Sequence, residues 1–205
     1  MQESLSMKEA LKKTKKKHDM KKNIKSFETK FWAGYEIKSP FEVMDAFFDF
    51  AHLDSYKEVL SETFLYIHKT EVCRIRYPGQ VLVFRSAFSS FVKACFLLQY
   101  KNRKWKVKES CACKSKLDMA SLTEQEYENP FAVFQKAFEQ NTIDKFEFFL
   151  FEISHLSLSP FTEEFDYDLI TPYIYLVKML DASQLMRDRG IEKIKKESLS
   201  ADHAE

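Results

Sequence analysis

Glycine is nearly missing from this chain. Three occur in 205 residues, at Gly34, Gly79 and Gly190, where an average usage of about 7% would supply roughly fourteen. Glycine provides the positive-φ positions of tight hairpin turns and phosphate-cradling loops. Its scarcity therefore argues against a many-stranded sheet and against a Gly-rich nucleotide fold. Reaction motifs are missing too. There is no Gly-x-Ser-x-Gly elbow, no His-Glu-x-x-His pair and no phosphate loop, so no motif fixes a reaction and the chain reads as a non-enzyme.

The N-terminus is charged but has neither the apolar stretch nor the small-residue cleavage site of a secretory leader. With only four cysteines, this points to reduced thiols and a cytoplasmic location. The most apolar run, Val81 to Leu98, is interrupted by Arg85 and Lys93. Each is costly at a bilayer centre, so the run is expected to be a buried core helix and no membrane partner is expected. Metal ligation is poorly served. Cys111-Ala-Cys113 has one intervening residue, tighter than the two to four of structural zinc pairs. Cys73, with His68 nearby in sequence, and Cys95 could join that pair only through the fold. No metal or other cofactor is expected.

Phenylalanine, by contrast, is abundant, with twenty copies, most of them at helical spacing. The simplest consequence is a thick aromatic core between helices; a stacking surface for bases is the rarer use. Ser39-Pro40-Phe41-Glu42 has the form of a helix start with a capping box, opening a helix to about Ala51. Ser55 and Glu58 suggest a second box, before the stripe Tyr56, Val59, Leu60, Thr63, Phe64 and Ile67. A long helix is expected from about Gln80 to Tyr100, a short one after Thr123 with Glu126 completing its cap, and others over 130–140 and 143–158. A last long helix, from the Thr171-Pro172 signal through Arg187, ends near Gly190. Residues 70–77 and 104–108 are the candidates for one small hairpin. The expected fold is all-α: a single bundle-like domain of six or seven helices over residues 31–190, with a Phe-rich core. A lysine-rich arm (1–30) precedes it and a charged tail (191–205) follows.

Charge is segregated. Residues 7–30 hold ten lysines against three acids, a net +7 in a chain of +1, which leaves −6 for the rest. Residues 101–116 form a second basic segment, with seven cations against Glu109. Residues 121–170 hold eleven acids and two lysines. A lysine-dense segment with little core potential can neutralise phosphates and gain affinity through counterion release. Lysine rather than arginine makes such contact positional, without base reading. The candidate nucleic-acid contacts are Lys12, Lys13, Lys15, Lys16, Lys17, Lys21 and Lys22, with Lys104, Trp105 and Lys106 as a secondary set. Trp105, flanked by cations, would stack on a base or else anchor a loop to the core.

The leading expectation is a non-catalytic accessory protein whose basic arm engages nucleic acid, DNA or RNA, or a nucleoprotein assembly. One alternative is a protein-interaction adaptor that uses acidic region 121–170 or a groove on the bundle. In that case the arm docks on an acidic surface of its own body or of a partner. A second alternative is a di-metal carboxylate-bundle oxidase. Asp49-x-x-His52 and Glu152-x-x-His155 each place a carboxylate and an imidazole one helical turn apart. Bridging acids are hard to find, with Glu62 and Asp181 the nearest candidates. The plainer reading makes one of these histidines a core residue and the other a helix end. Arg85 and Lys93 on an apolar helix require acids such as Glu152 or Asp181 as partners, or else a groove for an acidic ligand. Lys178 and Asp181, inside the apolar run of the last helix, call for the same structural pairing.

Overall fold

The computed structural model describes residues 27–67, 69–73, 79–109, 120–161 and 166–194. These contain seven α-helices: α1 (Pro40–Phe50), α2 (Leu53–Tyr66), α3 (Gly79–Leu98), α4 (Glu124–Glu128), α5 (Phe131–Gln140), α6 (Ile143–Ser157) and α7 (Ile170–Arg189). Two short strands, β1 (Trp105–Val107) and β2 (Ile191–Lys193), pair antiparallel.

The apolar run with two cations becomes the centre of the bundle. Helix α3 packs on α1 and α6 and also touches α5 and the 3-10 turn at Thr29–Phe31. Twelve of its residues are buried. It is long and apolar enough to cross a membrane, but 67% of that window is buried inside the bundle. A helix that is apolar nearly all round has this surrounded position in a core.

The phenylalanines fill the space around α3. Phe47 of α1 stacks on Tyr56 at 3.8 Å between ring centroids and on Phe91 at 4.6 Å, and meets Phe88 edge-on at 5.4 Å. Such aromatic pairs add about 0.5–1.5 kcal/mol each beyond their buried area. The Tyr56 hydroxyl donates to the Phe47 carbonyl at 2.6 Å, and burial pushes its phenol well above the usual range. On α6 the spacing sorts the rings: Phe146, Phe149, Leu150 and Ile153 are buried, while Phe148 and Phe151 are exposed.

Helix ends follow the sequence only in part. Thr123 and Glu126 form the full capping box of α4, and Thr142 caps α6 by accepting from the Lys145 N–H. The other two expected boxes are absent. Ser39 precedes α1 without a side-chain cap, and α2 begins at Leu53, ahead of Ser55. Pro40 at the first position of α1 suffices there, because its missing N–H removes one unsatisfied donor. At α7 the first-turn N–H of Thr171 is met by Asp168 Oδ1 at 2.9 Å. That helix ends at Gly190, whose φ of +77° turns the chain into β2.

The hairpin expectation needs correction. Strand β1 takes its partner from residues 191–193, with Trp105 opposite Lys193 and Val107 opposite Ile191. Residues 74–78 lie outside the described residues. The core also takes in Phe27 and Thr29, before residue 31, and Ile191 packs against it from beyond residue 190.

Candidate basic ribbon and interhelical cleft

The second basic segment builds an exposed ribbon. After α3, a turn closed by the Lys104 and Trp105 N–H groups on the Lys101 carbonyl leads into β1. Period-2 alternation then separates its side chains. Lys104, Lys106 and Lys108 are exposed, as is Arg103, while Trp105 and Val107 are half-buried against the core. The Trp105 ring lies 5.3 Å from Phe41, and the Lys193 ammonium sits over it at 5.3 Å. This contact geometry is that of an anchor. Lys106 pairs with Glu192 at 3.1 Å. Arg189 ties the ribbon to the bundle, donating to the carbonyls of Lys108 and Tyr127 at 2.8 Å each.

Lys12, Lys13, Lys15, Lys16, Lys17, Lys21 and Lys22 lie outside the described residues, as do His68, Cys111 and Cys113. The point where the arm joins the body is well defined. Phe27 is buried, and its carbonyl accepts from the Ser90 hydroxyl, which in turn accepts from Trp32 Nε1 at 2.9 Å. Glu28 follows at φ +54°, with its carboxylate 3.5 Å from Lys93.

The carboxylate–histidine pairs have other partners. Asp49 is bonded to Arg187 of α7, and Glu152 accepts from the Tyr167 hydroxyl at 2.5 Å. His52 is exposed at the start of α2. His155 is exposed too, contrary to a core role, and stacks on Phe151 at 5.8 Å. Glu62 is exposed, and among the described residues no group of three or more His, Cys, Asp or Glu is arranged to hold a metal. Cys73 and Cys95 are both buried, and burial pushes Cys95 far above the reactive range.

Two buried carboxylates lie on and beside α7, Asp181 on that helix and Glu126 on α4. Asp181 is fully buried; Ser121 donates to it at 2.6 Å, and Lys57 of α2 sits 2.5 Å away as an ion pair without hydrogen-bond geometry. Glu126 accepts from Lys178 at 2.6 Å, from Lys136 at 3.0 Å and from the Thr123 N–H at 3.0 Å. Burial by itself would raise the Glu126 carboxyl. The Lys178 hydrogen bond, the Thr123 N–H and the Lys136 hydrogen bond together outweigh it and lower the carboxyl to about 2. The capping role of Glu126 is legible in the sequence, but its two lysines are not, since they stand 10 and 52 residues away.

Arg85 and Lys93 come together on the exposed face of α3, along a cleft against α6. One half, of about 340 Å³, is polar and shares Leu82 and Arg85 with the other. There Lys93 lies 3.7 Å from Glu147, and Ser89 donates to Glu147 at 2.5 Å. The other half, of about 430 Å³, is lined by Leu82, Arg85, Phe151, Ser154, His155, Leu158, Ser159, Pro160 and Phe161. Neither cation meets Glu152 or Asp181, the acids expected from the sequence. The Arg85 guanidinium lies over the Phe151 ring at 5.0 Å and has no carboxylate partner among the described residues. The arrangement provides a cationic, apolar-walled recess.

No protein-family model matches the sequence, and no curated protein or solved structure matches it either. The class is therefore set by architecture alone: an all-helical, bundle-like fold with a Phe-rich core and one small antiparallel ribbon.

Proposed function

We propose that this protein is a non-catalytic accessory protein whose lysine-rich arm, with the basic ribbon as a second contact, engages nucleic acid or a nucleoprotein assembly. The observation that carries the reading is the ribbon. Arg103, Lys104, Lys106 and Lys108 are all exposed on one short element pinned to the bundle. A lattice of phosphates is the natural counterpart of such a surface. In this reading Lys12, Lys13, Lys15, Lys16, Lys17, Lys21 and Lys22 neutralise phosphates. Lys104 and Lys106 extend the contact, and Trp105 holds the ribbon in place.

The test is binding to a random-sequence duplex and single strand across a salt series, comparing the full chain with one starting at Phe27. If the seven arm lysines named above contact duplex phosphates, the logarithm of the association constant falls with log salt at a slope of roughly −6. The truncated chain should lose most of that slope. Equal binding by both chains would sink the arm hypothesis.

A second reading, a protein-interaction adaptor without nucleic acid, is favoured by the α3–α6 cleft, where Arg85 meets no carboxylate among the described residues. Capture of an acidic peptide, with no nucleic-acid binding by either chain, would select it.

A further inference from the structure

We propose that the cleft between α3 and α6 is a binding site for a small amphipathic carboxylate, its head at Arg85 and its apolar tail between Leu82, Phe151, Leu158 and Phe161. A cleft of about 430 Å³ lies within the range that small-molecule sites occupy, about 300–1,000 Å³. Its walls supply the apolar part. Leu82 is 54% exposed, Phe151 43% and Phe161 74%, a concentration of wet apolar surface that a ligand tail would cover.

Arg85 supplies the charge. Its guanidinium uses one flat face on Phe151, and the five N–H donors of a guanidinium lie in its plane. The edge therefore remains open for the two-point hydrogen bonding that suits a planar carboxylate. A monoanion fits better than a phosphate dianion, because the second cation of the cleft is already engaged: Lys93 faces Glu147 and Glu28.

Ser154 is the independent observation. It lines the same half of the cleft and is 3% exposed, yet its hydroxyl has no hydrogen-bond partner among the described residues. A buried hydroxyl without a partner is costly; its oxygen lies just behind the cleft wall, and a carboxylate that displaces that wall slightly would accept from it.

The test is calorimetric titration of the full chain with decanoate, 1-decanol and decyltrimethylammonium. Decanoate should saturate at one site, decanol should bind at least tenfold more weakly, and the cation should not bind. Arg85→Gln should weaken decanoate at least tenfold while leaving decanol unchanged, and Ser154→Ala should weaken it a few-fold. Arg85→Lys, which keeps the charge and loses the fork, should fall between. If Arg85→Gln fails to fold, the decanoate–decanol difference on the native chain decides. Non-saturable uptake, equal affinity for decanoate and decanol, or unchanged affinity in a folded Arg85→Gln protein overturns the proposal. So does Arg85-dependent binding of an acidic helical peptide with no binding of decanoate, which would give the cleft to a protein partner.

Discussion

Two regions of the bundle treat charge in opposite ways: the carboxylates beside α7 are buried and paired, while Arg85 in the α3–α6 cleft is only half-buried and meets a ring. Around α7, Glu126 has two lysines and a backbone N–H, and Asp181 has Lys57 and Ser121. In the apolar half of the α3–α6 cleft, Arg85 rests on a ring and the Ser154 hydroxyl has no partner among the described residues. Charge buried for stability must be compensated within the fold, because desolvation otherwise costs several kcal/mol per ion. Polar groups left open at a concave surface are groups that a ligand can compensate. The contrast lies in the charged groups, since Ser183 on α7 also has a buried hydroxyl with no hydrogen-bond partner among the described residues.

Variants can break or sharpen this contrast, and the largest effect is expected on the α7 side. Lys57→Met leaves the fully buried Asp181 with only Ser121 from its present set. Removing one partner of a buried pair costs about 3–5 kcal/mol, which urea unfolding should report as a lowered midpoint. A loss below about 1 kcal/mol would mean that Asp181 is satisfied without its lysine.

Glu126 should give a smaller, pH-dependent effect. Its folded pKa of about 2 lies below the ordinary 4.5, so its contribution is complete above pH 4.5 and is lost as pH falls towards 2. Glu126→Gln should cost about 1.5–3 kcal/mol at neutral pH, the range for hydrogen bonds to charged groups. It should also flatten the acid limb of stability between those pH values. An unchanged acid limb would contradict the paired geometry.

Arg85→Gln should change stability least, by under about 0.5 kcal/mol, because it breaks no ion pair among the described residues. A loss comparable to that of Lys57→Met would make Arg85 part of the scaffold and erase the difference between the two sides.

Much of the fold was legible because its signals are local. The stripe from Tyr56 to Ile67, the sorting of phenylalanines on α6, Pro40 at a helix start and Gly190 at a helix end all act within a turn or two of chain. The capping boxes show the limit of such signals. Thr123–Glu126 formed one, while Ser39–Glu42 and Ser55–Glu58, with equally suitable residues, did not. The candidate cleft was half legible. Two cations on an apolar helix are visible in sequence, but their placement along α6, in a cleft that Ser154 lines at the Arg85 end, is not.

Composition and periodicity by themselves determined the helical class, the central rank of the Val81–Leu98 run and the basic character of 101–108. The first two follow from apolar spacing over a few turns of chain, and the third is composition itself. Tertiary structure alone decided that β1 pairs with 191–193, that Lys57 meets Asp181 across 124 residues of sequence, and that Arg85 meets a ring and no acid. Those outcomes depend on which helix faces pack together. Side chains distant in sequence leave no periodic trace of the partner that packing will bring to them.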